Sequence, residues 1–263
     1  MREWLFGRQA VRESLNAGRR QPFRLWLSEG VTKAPILDEI AAEAQKRRIP
    51  IEKRPRQDIA HVTGVDEHQG VALETSGYPY ATTADMFALA RQRHEPLLLL
   101  LLDLIQDVHN LGSLLRTAEA VGVHGIVIQE RRAAGITPAA VNTSSGAVEH
   151  LLVAQVTNLA QEIERLKAAD VWIAGLEDAH GAHPYTEVKM TLPLAIVVGS
   201  EGEGLRRLVR ERCDWRMSIP MRGKINSLNA AVAGSLALYE ALRQRHQGTA
   251  TTPAPSASKS GGV

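Results

Sequence analysis

Aromatic residues and cysteine are both scarce in this sequence. Phe, Trp and Tyr together make up 4% of the 263 residues. Apolar residues overall reach 44%, so a core of useful size must be aliphatic, built from Leu, Val, Ile and Ala. A single cysteine, Cys213, excludes an intrachain disulfide and makes a reducing cytoplasm the expected compartment. A surplus of one charge is also lacking: 31 Lys and Arg stand against 29 Asp and Glu, a net +2. Global charge therefore identifies no partner, and only local clusters inform. Long apolar runs are missing too. The longest, Leu97–Leu102, falls far short of the roughly 20 residues that cross a bilayer and reads as a buried strand. Met1-Arg2-Glu3-Trp4 opens with charges and leads into no signal-peptide run. A soluble, cytoplasmic protein without membrane contact is expected. His180 and His183 have HxxH spacing but no third ligand nearby, so a surface pair is expected rather than a metal site.

What is present is a change of rhythm. Up to about residue 75, short helical and strand patterns alternate. Arg8–Asn16 is amphipathic, with Ala10, Val11 and Leu15 on one side and Gly18 past its end. Phe23–Leu27 and Gln69–Leu73 read as strands, and Ile36–Arg47 as a helix. The stretch Ser76–Thr83 is turn-rich and suits a linker. From Leu97 the strands Leu97–Leu102, Gly125–Ile128, Val171–Ala174, Leu194–Val198 and Trp215–Ile219 alternate with helices at Leu111–Val121, Leu159–Ala168, Leu205–Arg212 and Leu228–Arg243. Such alternation predicts an α/β unit with a mostly parallel sheet covered on both faces. Residues 1–77 are expected to form a small α/β unit, 78–95 a linker, 96–246 the larger unit and 247–263 a low-complexity tail that cannot bury a core.

Three strand ends carry unusual polar residues, and ligands of open α/β sheets bind beyond strand carboxyl ends. At the first, Asp103–Asn110 runs into a helix whose stripe is Leu111, Leu114, Leu115, Ala118 and Val121, with Arg116 on the exposed side. Arg116 reads either as a solvated arginine or as a substrate anchor. The second is Gly199-Ser200-Glu201-Gly202-Glu203-Gly204. A glycine-rich turn suggests a nucleotide, but a dinucleotide fingerprint belongs after the first strand, where no glycine stands. Glu201 and Glu203 would repel a pyrophosphate and favour a cationic ligand. The third is Ile219–Asn229, where Ser227 is placed to cap a helix starting near Leu228. That helix is apolar all round and is expected to be buried. The cap explains Ser227 but leaves Asn229 unexplained.

Together the three segments resemble the three motifs of the SPOUT superfamily, in its TrmH-like branch of RNA ribose 2′-O-methyltransferases. Asn110–Ala118, Val197–Gly204 and Ile219–Met221 with Ser227–Asn229 stand in that family's order. Gly7-Arg8-Gln9-Ala10-Val11 and His68-Gln69-Gly70-Val71 are similar to the small, ribosomal-protein-like RNA-binding domain of the same enzymes. Two departures concern loop rigidity. Val108 stands where proline is usual, and Ala230-Ala231 follow Asn229 where Val-Ser is common.

The resemblance implies a trefoil-knotted methyltransferase domain that binds S-adenosyl-L-methionine through backbone groups at Gly199, Ile219 and Leu228. It also implies a homodimer, and methylation of a guanosine ribose in 23S rRNA, with tRNA the other target. By the same resemblance Asn110, Arg116, Glu201, Ser227 and Asn229 form the catalytic set. An arginine stays protonated, so Arg116 is expected to anchor a phosphate and steady a developing alkoxide. Glu201 is expected to hold the loop or Arg116 itself. Lys46-Arg47-Arg48 and Lys53-Arg54-Pro55-Arg56 form a local basic cluster, read either as a solvated face or as an RNA phosphate contact. A non-catalytic ribosome-assembly factor and a NAD-dependent oxidoreductase are the competing readings. The intact polar set disfavours the former and the misplaced glycine turn the latter.

Overall fold

The computed structural model describes residues 2–30, 34–177, 181–224 and 227–249. The expectations placed on His180, on Ile225 and Asn226, and on 250–263 of the tail lie outside these residues.

The N-terminal elements are β1 (Arg2–Phe6), α1 (Arg8–Ala17), β2 (Pro22–Ser28), α2 (Pro35–Lys46), β3 (Ile51–Arg54), α3 (Arg56–Thr63) and β4 (Val71–Ser76). Among the described residues they build a four-stranded sheet in the order β1-β4-β2-β3. Strand alternation sends Leu5, Leu25 and Leu73 into one core with Val11 and Leu15 of α1 and Ile40 of α2. The opposite face carries Trp4, Trp26 and Ala72 under Ile59 of α3. Gly18 ends α1 in the left-handed conformation expected of a helix-terminating glycine. Three elements had not been expected: β1, β3 and α3. In β1, Arg2 pairs with Glu74 and Glu3 with Arg20, so charge masks the strand pattern.

The C-terminal elements are α4 (Thr83–Arg93), β5 (Leu98–Asp103), α5 (Val108–Val121), β6 (Gly125–Gln129), α6 (Pro138–Thr143), β7 (Val153–Val156), α7 (Leu159–Lys167), β8 (Trp172–Leu176), β9 (His183–Pro184), β10 (Leu194–Gly199), α8 (Arg207–Arg212), β11 (Trp215–Ser218) and α9 (Ala230–Thr249). Their seven-stranded sheet runs β7-β6-β5-β10-β8-β11-β9 among the described residues, and every neighbouring pair is parallel. The leucine run shows why both faces are covered. Leu98, Leu100 and Leu102 pack with α5 and α9, while Leu99 and Leu101 pack with α4, α7 and α8. An unbroken apolar strand is what such a two-sided position requires.

Two expectations need correction here. The stretch read as a linker holds α4, started by a Thr82–Asp85 capping box and anchored by buried Met86 and Ala90. Its polar sequence hides a narrow buried stripe. Helix α9 is not buried all round, because Val232, Leu236 and Tyr239 are exposed. Among the described residues, no helix is long and apolar enough to cross a membrane.

The two units meet through buried polar contacts. Arg20 and Glu149 pair at 2.9 Å with almost no exposure of either side chain. Asn142 Nδ2 donates to Phe6 O at 3.1 Å, and Tyr78 donates to Leu151 O at 2.6 Å.

Candidate active site

The carboxyl ends of β5, β10, β8 and β11 lie side by side, which brings the three polar strand ends together. After β10 the chain reverses sharply. Gly204 N donates to Ser200 O at 3.0 Å, and a Cβ on Gly199 would fall 2.3 Å from the Gly204 carbonyl. Only glycine fits there. The turn is tied down from β5, where buried Asp103 accepts from Arg206 N at 2.9 Å and pairs with its guanidinium at 2.7 Å. Sequence reasoning gave Asp103 no role. Its signal was a carboxylate ending an otherwise apolar strand.

Glu201 of this turn joins the other two segments. Asn110 Nδ2 donates to Glu201 Oε1 at 2.9 Å, and Asn229 Nδ2 donates to the same oxygen at 2.5 Å. Asn229 Nδ2 also donates to Asn110 Oδ1 at 2.8 Å. The Oδ1 end of Asn229 accepts from Ala231 N at 3.0 Å and Val232 N at 3.2 Å. Asn229 therefore caps α9, in place of the expected Ser227, because the helix begins at Ala230. On α5 the cap is Asp107, which accepts from His109 N and Asn110 N.

A cleft of about 610 Å³ opens over this junction, within the size range of small-ligand sites. Gly199, Glu201, Ile219, Ser227, Leu228 and Asn229 all line it. Apolar walls from Leu176, Val198 and Met217 suit a flat aromatic group. Glu201 and Glu203 have no ion-pair partner among the described residues, so their charge is available to a cation. A smaller cleft of about 360 Å³ adjoins it, lined by Asn110, Asp107, Ser200, Glu201 and Glu203.

Arg116 stands apart. It lines neither cleft, and its Nη1 donates to Ser145 Oγ at 3.5 Å. Six residues separate it from Asn110 on α5, which is about 9 Å of rise and about 120° of rotation. Of the two roles expected for Glu201, holding the loop or holding Arg116, the second is not seen within one chain, where Glu201 accepts from the two asparagine amides.

The basic run is partly neutralised by neighbouring carboxylates. Lys46 and Arg47 pair with Glu43, whereas Arg54 pairs with Glu52 and lies over Trp26. The hydrogen bond from Arg47 holds the Glu43 carboxyl below the usual carboxylate range. Burial, with Asp214 and Glu177 near it, pushes the Cys213 thiol up to about 12, which disfavours the thiolate form. No cluster of three or more His, Cys, Asp or Glu side chains able to hold a metal occurs among the described residues.

Residues 97–239 match the SpoU rRNA Methylase family, and residues 4–81 match the description "RNA 2'-O ribose methyltransferase substrate binding". A Bacillus subtilis (strain 168) protein named for the TrmH family of tRNA/rRNA methyltransferases, YacO, is 42% identical over 245 residues, covering 93% of this chain and 96% of its own. Among solved structures, the SpoU methyltransferase AviRb from Streptomyces viridochromogenes, in complex with AdoMet, superposes with a TM-score of 0.77 at 24% identity, over 94% of this chain and 92% of its own. An AdoMet-bound rRNA methyltransferase from Sinorhizobium meliloti gives 0.74 at 23% identity, over 92% and 87%. These two likenesses establish the parallel α/β fold with its small N-terminal unit.

Proposed function

The chain belongs to the SpoU rRNA methylase family and is an RNA ribose 2′-O-methyltransferase, and from that premise we propose that it methylates a guanosine ribose of 23S rRNA with S-adenosyl-L-methionine. The observation that carries the cofactor reading is the cleft, where apolar walls meet two carboxylates without ion-pair partners among the described residues. A sulfonium and an ammonium on a nucleoside match that combination. Backbone groups at Gly199, Ile219 and Leu228 would hold the ligand, in the knotted arrangement implied by the family. Bound there, the cofactor supplies an electrophilic methyl group.

The protein's own residues then align and exclude. Asn110 and Asn229 fix Glu201, and Ser227 faces the same cleft, so acceptor and donor meet a rigid wall. Arg116 binds the neighbouring phosphate and steadies negative charge growing on the 2′-oxygen as its proton leaves to solvent or phosphate. Because Arg116 lies outside its own chain's cleft, it serves the cleft of a second copy. Val232, Leu236 and Tyr239, 49%, 40% and 53% exposed at helical spacing on α9, form an apolar stripe suited to that partner. Thr117 and Ser235, in contact at 2.9 Å, tie α5 beside α9, the helix that carries the stripe. Residues 1–77 would capture RNA, 96–246 would form the transferase, and the cytoplasm is the place of work.

A tRNA target is the second reading, favoured by the tRNA/rRNA wording of the Bacillus relative's name. A silent assembly factor is disfavoured, since Asn110, Glu201 and Asn229 form a complete network. Labelled methyl transfer to rRNA and tRNA from a strain lacking the protein decides among these. Incorporation as 2′-O-methylguanosine into 23S rRNA is expected, and Arg116→Ala should cut it at least about a hundredfold while cofactor affinity holds. Label in tRNA alone contradicts the rRNA assignment, and label in neither contradicts the enzyme reading.

A further inference from the structure

Glu177 lies one residue beyond β8 and borders the large cleft beside Leu176, Met217 and Ser218. Its backbone is fixed, because Glu177 N donates to Met217 O at 2.9 Å. One carboxylate oxygen, Oε1, pairs with Arg210 Nε at 2.6 Å. Arg210 is itself anchored by donating to Leu205 O at 3.0 Å. The other oxygen, Oε2, is buried and accepts from nothing among the described residues. A buried acceptor without a donor is costly, and such exceptions call for a ligand or a role.

We propose that Glu177 receives the ribose hydroxyls of the bound cofactor's nucleoside, an inference that rests on the S-adenosylmethionine reading of this cleft. That ligand offers an ammonium, an exocyclic amine and a vicinal diol as donors. Arg210 already neutralises Glu177, so a second cation there would gain little attraction and meet the repulsion of the guanidinium. The ammonium belongs instead with Glu201 and Glu203, which have no cationic partner among the described residues. A neutral hydroxyl donor satisfies Oε2 without adding charge, and a diol offers two such donors side by side. Glu177 is thus a specificity-determining residue, selecting a ribonucleoside with both hydroxyls free.

The test needs no RNA. Calorimetry compares S-adenosylhomocysteine with its 2′-deoxy and 3′-deoxy analogues on the intact protein and on Glu177→Gln. At least one deoxy analogue should bind the intact protein about tenfold to a hundredfold more weakly, the loss of a hydrogen bond to a charged group. Glu177→Gln should weaken S-adenosylhomocysteine similarly, yet lose little further with that analogue, so the two losses do not add. Unchanged affinity of the intact protein for both analogues overturns the assignment with no variant involved. Fully additive losses overturn it as well. Failure of S-adenosylhomocysteine to bind at all removes the cofactor reading, and this inference with it.

Discussion

Asn229 uses the two ends of one amide for different purposes. Its oxygen caps α9 and its nitrogen bonds Glu201 and Asn110. Aspartate caps a helix about as well as asparagine, so Asn229→Asp should keep α9 capped. The same substitution replaces a donor with a second carboxylate beside Glu201, and like charges at that range repel. Affinity for S-adenosylhomocysteine should fall at least about tenfold, measured by calorimetry at neutral pH. Equal affinity would show that the Asn229–Glu201 bond does not shape the cleft. The sequence made Asn229 conspicuous as a polar side chain opening an apolar helix. It misplaced the cap at Ser227, because apolar periodicity cannot separate a helix that starts at Leu228 from one that starts at Ala230. Asp103 escaped notice for a related reason: its partner, Arg206, is 103 residues away.

At the scale of elements, the long central strands were legible and the short peripheral ones were not. Leu98–Asp103 and Leu194–Gly199 are apolar throughout because both sheet faces are covered. Val153–Val156 and His183–Pro184 are edge strands too short to show any period. Helix α9 gathers much of the site's support at its far end. The Arg245 guanidinium donates to Met190 O, Leu97 O and Leu192 O at 2.9 to 3.0 Å, and to Pro96 O, joining α9 to the starts of β5 and β10. Burial holds its pKa down at about 10, and the site of the charge is still fully protonated at neutral pH. Removing it strands several part-buried carbonyls. Arg245→Ala should destabilise the fold by about 2 kcal/mol or more in denaturant titration. A loss within about 0.5 kcal/mol would mean that water satisfies those carbonyls instead.

For the whole molecule, the arrangement of parts decides how the chemistry is shared. The buried Arg20–Glu149 pair links the N-terminal unit to the C-terminal unit. Within the transferase unit, α5 sends Asn110 into the junction with Glu201 and turns Arg116 outward, and in the proposed function Arg116 would reach an acceptor held in a second copy's cleft. Binary patterning foretold that Arg116 would be exposed, but spacing along one helix could not reveal which cleft it serves. The exposed Val232, Leu236 and Tyr239 supply the surface on which a second copy would seat.

Mixing two inactive variants tests this division most directly. Arg116→Ala and Glu201→Gln are each expected to abolish labelled methyl transfer to RNA. When the two are unfolded and refolded together, half the dimers should be mixed, and each mixed dimer should hold one intact site built from both chains. Activity should then recover to about a quarter of that of the unaltered protein. A mixture as inactive as its components would contradict a site shared between subunits and return Arg116 to its own chain.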